Sequence, residues 1–291
     1  MLKILFKFWK PFLAVVFWGI SFVATKIALK ELDPKTIITL RLLLGVITIL
    51  FIALFTANNF KVTMKNLTAI IILAFIAVFH LWIQITGLKF TTAVNTGWII
   101  GISPVFIAIF GFMFFKEKMT LLNVFGMVIA FFGLLLLIGK GNPFRVGFAS
   151  HFGDLLVVAS TITWAIYSIA NKKISLNFSP IITILYLFVT MLVIILPFTI
   201  SAKDISTVIH LSLKGLVAIL FLGIFCTGMA YILWSKSLNE LDASKVGAFL
   251  YIEPFVTVFF SWSILNEAIS IVTIFSGLII LIGVMLVNRS K

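Results

Sequence analysis

Apolar stretches about the length of a membrane-crossing helix follow one another from one end of the chain to the other, and this recurrence constrains the fold more than any other feature. A helix rises 1.5 Å per residue, so roughly 20 apolar residues cross the hydrocarbon core of a bilayer. The runs lie near 11–30, 36–56, 66–88, 93–115, 120–138, 152–171, 180–200, 212–237, 243–265 and 270–288. Inside hydrocarbon every backbone N–H and C=O must be satisfied within its own segment, so runs of this length fold as helices. The expected fold class is an all-α polytopic membrane protein with ten transmembrane helices. The sixth run is the least regular, being rich in Ser and Thr.

Between the runs, the longest connections are Gly139–His151 and Ser201–Leu211, and neither is long enough to bury a core of its own. No soluble catalytic or DNA-binding domain is therefore expected. The net charge of +13 does not point to nucleic acid either, because most Lys and Arg stand singly at run ends, where they reach lipid headgroups. The first run follows Lys3, Lys7 and Lys10 but is too long and lacks the small-residue cleavage site of a signal peptide, so it reads as the first span. On the N-terminal side lie Lys3, Lys7, Lys10, Lys61, Lys65, Lys116, Lys118, Lys172, Lys173, Lys236, Lys245, Arg289 and Lys291, thirteen in all. The opposite side has seven: Lys30, Lys35, Lys89, Lys140, Arg145, Lys203 and Lys214. The excess places both termini in the cytoplasm. A single cysteine, Cys226, excludes an intramolecular disulfide and a cysteine-based metal site.

The two halves of the chain match in their punctuation. At an offset of 150, Leu88, Ala93, Gly97, Pro104, Phe110, Glu117, Phe125 and Gly133 fall on Leu238, Ala243, Gly247, Pro254, Phe260, Glu267, Phe275 and Gly283. At an offset of 146, Trp18, Ala24, Lys26 and Pro34 fall on Trp164, Ala170, Lys172 and Pro180. Phe on Phe is common among apolar helices, but Pro and Glu are rare residues there, and their agreement at one spacing reads as a repeat. The expected domains are residues 1–140 and 141–291, five spans each. Five is odd, so the second copy enters the membrane inverted, the arrangement of carriers that alternate between outward-open and inward-open states.

These residues together resemble the EamA-type carriers of the drug/metabolite transporter superfamily, over essentially the whole chain. The resemblance rests on Trp18-Gly19-x-Ser21 with Lys26, Pro34 followed by Arg41, and Pro104 followed by Glu117 and the Gly126 and Gly133 helix. In the second half it rests on Trp164 with Ser168, Pro180, and Glu253-Pro254 followed by Glu267 and the Gly277 and Gly283 helix. Ala165 follows the second Trp and Leu187 stands where Arg41 would map, so the halves are not chemically equivalent. The resemblance implies a secondary transporter of small organic metabolites, amino acids or related compounds, acting in export at a bacterial inner membrane. It does not decide between monomer and homodimer.

A substrate site is expected near the membrane midplane, where helices are interrupted. Pro104 and Pro254 lie mid-span and should break the fourth and ninth helices at matching depth. Glu253 precedes Pro254 at a depth where a charge is costly, and reads as a binder of a cationic group, a proton carrier or a structural carboxyl. His80, Trp82, Gln84, Asn95, Trp98, Tyr231, Trp234 and Tyr251 are the candidate polar and aromatic lining, with interfacial anchoring the alternative for Trp98 and Trp234. Arg41 is expected to reach the external interface or to pair with Glu31 or Asp33, and Lys26 to behave similarly. Glu117 and Glu267 close the fourth and ninth spans, where they would cap the following helix, tether loops or gate. The Gly97-x-x-x-Gly101 pair suits close helix packing.

Catalytic chemistry finds no support. His80, His151 and His210 share no HExxH spacing, Gly19-x-Ser21 and Gly101-x-Ser103 do not extend to GxSxG, and no Walker A loop is present. No metal or cofactor is expected. An intramembrane enzyme, a lipid-handling protein or a channel are the alternatives to a carrier.

Overall fold

The computed structural model describes residues 8–56, 60, 63–174, 180–199, 201–241 and 243–289. Of the charges that set the orientation, Lys3, Lys7, Lys61 and Lys291 fall outside the described residues, as do the side chains of Lys65, Lys172, Lys173, Lys203, Lys245 and Arg289.

Among the described residues, ten helices are long and apolar enough to cross a membrane. We number them α1 (Trp9–Ala28), α2 (Pro34–Thr56), α3 (Asn66–Phe90), α4 (Ala93–Phe115), α5 (Leu121–Ile138), α6 (Phe152–Asn171), α7 (Pro180–Phe198), α8 (Leu213–Glu240), α9 (Val246–Leu265) and α10 (Ile271–Asn288). Each falls on one of the ten expected runs. The sixth crosses despite its hydroxyls because they are satisfied by carbonyls of their own helix. Ser160 donates to Val157 O at 2.7 Å, Thr161 to Val158 O at 2.7 Å, Thr163 to Ser160 O at 2.9 Å and Ser168 to Trp164 O at 2.8 Å. Pro34 and Pro180, paired by the repeat, each open a helix, where a missing N–H costs nothing. The connection Ser201–Leu211 is not wholly irregular. It holds a short helix, Ala202–Ile209, with Ile205 and Ile209 exposed on one face.

The chain forms two compact units, each drawing on both sequence halves: Met1–Trp82 with Ile174–Glu253, and Ile83–Lys173 with Pro254–Lys291.

In the first unit, α2 runs beside α8 on contacts that only small residues permit. A Cβ on Gly223 would lie 2.3 Å from the Leu44 Cβ, and one on Gly228 2.7 Å from the Thr48 Cγ2. The middle of α8, Phe221–Met229, is a π-helix. Within it, Cys226 bonds to α1 through both its carbonyl and its thiol. Trp18 Nε1 donates to Cys226 O at 3.2 Å, while Cys226 Sγ donates to Phe17 O at 3.1 Å. Below this, Ala14 packs on Ala230 and Leu233. At one end of the unit Lys10 forms an ion pair with Glu240.

In the second unit α5 and α10 cross antiparallel at glycine contact. A Cβ on Gly126 would lie 2.6 Å from Gly283 O, and one on Gly133 would lie 2.9 Å from Ser276 O. At the offset of 150, position 133 aligns with 283 and 126 with 276, so the two contacts exchange partners. Asn123 Nδ2 closes one end of the crossing on Val287 O at 2.6 Å. α4 and the second part of α9 also run antiparallel, Gly97 against Thr257 and Gly101 against Pro254.

Positions 150 residues apart also share backbone conformation at two helix ends. Lys116 and Asn266, 150 residues apart, both adopt φ of 54° at helix ends. Glu117 N and Glu267 N then return to Gly111 O and Ser261 O at 3.4 and 3.3 Å. Thr120 and Ser270 next accept the N–H of Asn123 and Thr273 to start α5 and α10.

Candidate functional site

The interruptions in α4 and α9 come from their prolines. Proline lacks an N–H and clashes with the preceding turn, so a helix tolerates it only where it begins again. α4 is accordingly helical over Ala93–Ile100, turns at Gly101-Ile102, and resumes as Ser103–Phe115 with Pro104 in its first turn. In α9 helix Ala243–Ala248 tightens into a 3-10 turn, Phe249–Ile252, and restarts as Glu253–Leu265 with Pro254 second. The expected breaks thus fall at equivalent positions. Ser103 corresponds to Glu253, and its hydroxyl is spent on Ile100 O at 2.7 Å. At this depth one half carries a hydroxyl and the other a carboxylate at a helix N-terminus, where the helix dipole favours negative charge.

Glu253 belongs to the first unit and is half-buried. The same unit holds a group of aromatic and charged side chains. Tyr231 of α8 lies within electrostatic reach of both Glu253 and Arg41. Its ring stands 5.4 Å from Trp18 and 5.0 Å from Phe188, and Trp234 stands 5.1 Å from Trp18. Trp18, Tyr231 and Trp234 are each half-buried. His80 is buried in α3, Tyr251 lies half-buried in the 3-10 turn two residues before Glu253, and Lys26 is half-buried near the end of α1; all three are engaged by other groups.

Arg41 departs from expectation. It does not run to the interface, being 8% exposed, and its Nε donates to Thr227 Oγ1 in the π-helical part of α8 at 3.1 Å. Glu31, offered as its partner, accepts instead from Ser212 N at 2.8 Å and Ser212 Oγ at 2.6 Å, holding the N-terminus of α8. The π-helix decides this: it presents a hydroxyl to α2 that no periodicity argument foretells.

Several other candidates lie elsewhere. Trp82 is exposed on an outward stripe with Ile72, Phe75 and Phe79, at the three- and four-residue spacing of one helix face. Gln84 is half-buried beyond it, in the second unit. Asn95 directs its amide to Asp154 at 3.3 and 3.4 Å, and Thr91 bonds the same carboxylate. Trp98 is sealed, 1% exposed, with Gly277 beneath its indole and Phe255 edge-on at 5.5 Å. The helices after Glu117 and Glu267 are capped by Thr120 and Ser270. Glu267 instead reaches back to the start of α4, its two oxygens accepting from Ala93 N and Val94 N at 3.0 Å each. This is a carboxylate on a helix N-terminus, but on a helix distant in sequence. The Glu117 carboxylate lies over Gly111, where a Cβ would come within 2.8 Å of its Oε2.

Asp154 and Thr227 were not foreseen. Asp154 left a signal, an acid in the first turn of an apolar run, but its partners lie 59 and 63 residues away. The serines of Gly19-x-Ser21 and Gly101-x-Ser103 donate to Trp18 O and Ile100 O, which leaves neither hydroxyl proton for a general base. Among the described residues no group of three His, Cys, Asp or Glu is placed to hold a metal ion.

Similarity to known proteins agrees with this architecture. The chain is 28% identical over 280 residues to an uncharacterized transporter of Archaeoglobus fulgidus, covering 96% of each protein. It is 25% identical over 268 residues to the uncharacterized transporter YoaV of Bacillus subtilis, covering 92% of this chain and 91% of the other. A solved crystal structure shares the fold, with a TM-score of 0.68 at 15% identity over 98% of this chain and 97% of its own. Residues 8–139 and 151–289 each match the EamA-like transporter family, and with both segments accounted for the chain belongs to that family.

Proposed function

We propose that this transporter is a secondary carrier that moves small organic metabolites, amino acids or related compounds, by alternating access of two inverted five-helix repeats. It resides in the cytoplasmic membrane with both termini inside and acts in export. The observation that carries this reading is the pair of interruptions at Pro104 and Pro254. Broken helices at equivalent positions in two repeats supply the unwound backbone and free helix ends that carriers use around a midplane substrate. The exchange of partners where α5 crosses α10 supports the inverted relation of the repeats. Glu253, opening the second part of α9, is the residue assigned to a cationic group of the substrate or to a coupled proton.

The test is uptake of labelled amino acids, nucleosides and polyamines into proteoliposomes by wild type and Glu253→Gln, with and without a pH gradient. Saturable flux that the variant loses is the expected result. Dependence on the gradient would identify Glu253 as the proton site, and equal flux in the variant would reduce it to a structural group. No saturable flux for any compound would overturn the carrier reading.

A further inference from the structure

Arg41 has properties that a packing role does not require. Guanidinium carries five N–H donors in a planar fork. One of them, on Nε, is used on Thr227 Oγ1, and among the described residues no other hydrogen bond or ion pair is made by this side chain. The nearby groups with electrostatic influence on it are Cys226 and Tyr231, neither of them a carboxylate. Arg41 stands about 10 Å along α2 from Pro34, counted at 1.5 Å per residue, and so within the span. A charge held there with no carboxylate partner among the described residues is uncommon, and such charges mark ion or substrate pathways.

The unused donors are also accessible. The polar side-chain atoms that are both sealed from solvent and unpartnered, among the described residues, are Thr86 Oγ1, Trp98 Nε1 and Ser261 Oγ. The Nη atoms of Arg41 are not among these, so with no partner they are not fully sealed, in a residue that is 8% exposed overall. Arg41 does not lie on the exposed stripe of its helix. The outward stripe of α2 is Leu43, Ile47, Leu50 and Leu54, all exposed, whereas Arg41 shares the opposite face with Gly45 and Thr48, which pack on α8. Arg41 therefore lies on the α8-facing side of α2, within the unit. Tyr231, Trp18 and Trp234, half-buried and in ring contact, belong to the same unit.

We propose that Arg41 is the anion receptor of the substrate site, and that the substrate carries a carboxylate, which the Nη1 and Nη2 donors hold in a bidentate pair. Thr227 is a positioning residue. By holding Nε it fixes the plane of the guanidinium, so the fork is pre-oriented and loses little freedom when the carboxylate docks. The half-buried aromatic faces take the apolar part of the ligand. Leu187 stands where Arg41 maps in the second half, so the receptor is present once and a substrate binds in one orientation. This assignment rests on the carrier reading but concerns recognition alone, and binding tests it separately from flux.

The experiment compares acid and amide pairs on the purified full-length protein in detergent: L-leucine with L-leucinamide, L-phenylalanine with L-phenylalaninamide, and succinate with succinamide. Binding is read as radioligand competition and as the ligand-induced shift in Tm. At least one acid is expected to bind roughly tenfold or more tighter than its amide, the scale of one lost charge-assisted hydrogen-bond pair. That preference should vanish in Arg41→Gln, be reduced in Arg41→Lys and Thr227→Val, and persist in Glu253→Gln. Should Arg41→Gln fail to fold, the acid-over-amide comparison on wild type and Arg41→Lys still decides. Acids that bind no tighter than their amides, acid binding unchanged in a folded Arg41→Gln protein, or no binding by any acid would each overturn the assignment. Counterflow in proteoliposomes separates the two proposals. Acids that bind but do not move would sink the carrier and leave Arg41 standing, and amides that move as fast as acids would do the reverse.

Discussion

Glu31 sits in the short connection between α1 and α2 and accepts two hydrogen bonds from Ser212, whose own hydroxyl accepts from Gly215 N at 3.2 Å. A carboxylate placed on the first residues of a helix this way is favoured in its charged form. The Ser212 hydroxyl first, and then its backbone N–H, hold the Glu31 pKa below the usual carboxylate value. Because the folded value is the lower one, the tether contributes at neutral pH and is lost as pH falls through that depressed value. Hydrogen exchange at the Ser212 and Gly215 amides should therefore accelerate on acidification in wild type beyond the intrinsic pH effect. Glu31→Gln should show the faster exchange already at pH 7 with no further acid-specific change. Identical protection in the two proteins at pH 7 would show that the tether does not hold α8. Glu267 makes the same kind of contact at the start of α4, so the N-termini of α4 and α8 are each closed by an acid from a remote segment.

At the scale of elements, the glycines of α5 and α10 decide how closely two helices pass. A Cβ on Gly133 would meet Ile280 N at 2.8 Å and Ser276 O at 2.9 Å, and backbone atoms cannot move aside as a flexible side chain can. Gly247, one of the glycines the repeat aligned, has nothing within 4 Å of its Cβ position although it lies in helix Ala243–Ala248. Gly133→Leu should lower stability by about 1–3 kcal/mol, the usual cost of overpacking. Gly247→Ala should be neutral or stabilising by up to about 1 kcal/mol through helix propensity. Thermal unfolding in detergent compares them directly, and equal effects would show that the crossing is not tightly packed. The π-helical part of α8 is the other decisive element. It turns the Cys226 carbonyl to Trp18 and the Thr227 hydroxyl to Arg41, joining α1 and α2 to one short stretch of α8.

For the whole molecule, the proposed orientation yields a labelling pattern. Cys226 is buried, so an impermeant maleimide has no native target on the surface of the folded protein. Phe144, in the connection between α5 and α6, is 95% exposed, and Lys118, between α4 and α5, is exposed as well. A cysteine replacing Phe144 should label in intact cells, and one replacing Lys118 only after lysis. The reverse pattern would place the termini outside and invert the reading of the Lys and Arg count.

The sequence by itself determined the class, the number of helices and the positions of their breaks. These follow from local physics: hydrocarbon forces a helix on any long apolar run, and proline interrupts one wherever it falls. It also supplied the proposed correspondence of the halves, because Pro104 with Pro254 and Glu117 with Glu267 are rare residues at one spacing. Only the tertiary structure decided which side chains meet. Arg41 turned to Thr227 rather than Glu31, Glu267 closed a helix 173 residues away rather than the next one, Asn95 was taken by Asp154, and Trp82 faced outward. The reason is that a side chain's partner depends on helix rotation and depth. These are set by close contacts such as Gly126 on Gly283 and by the phase shift of a π-helix, neither of which leaves a periodic trace in the sequence.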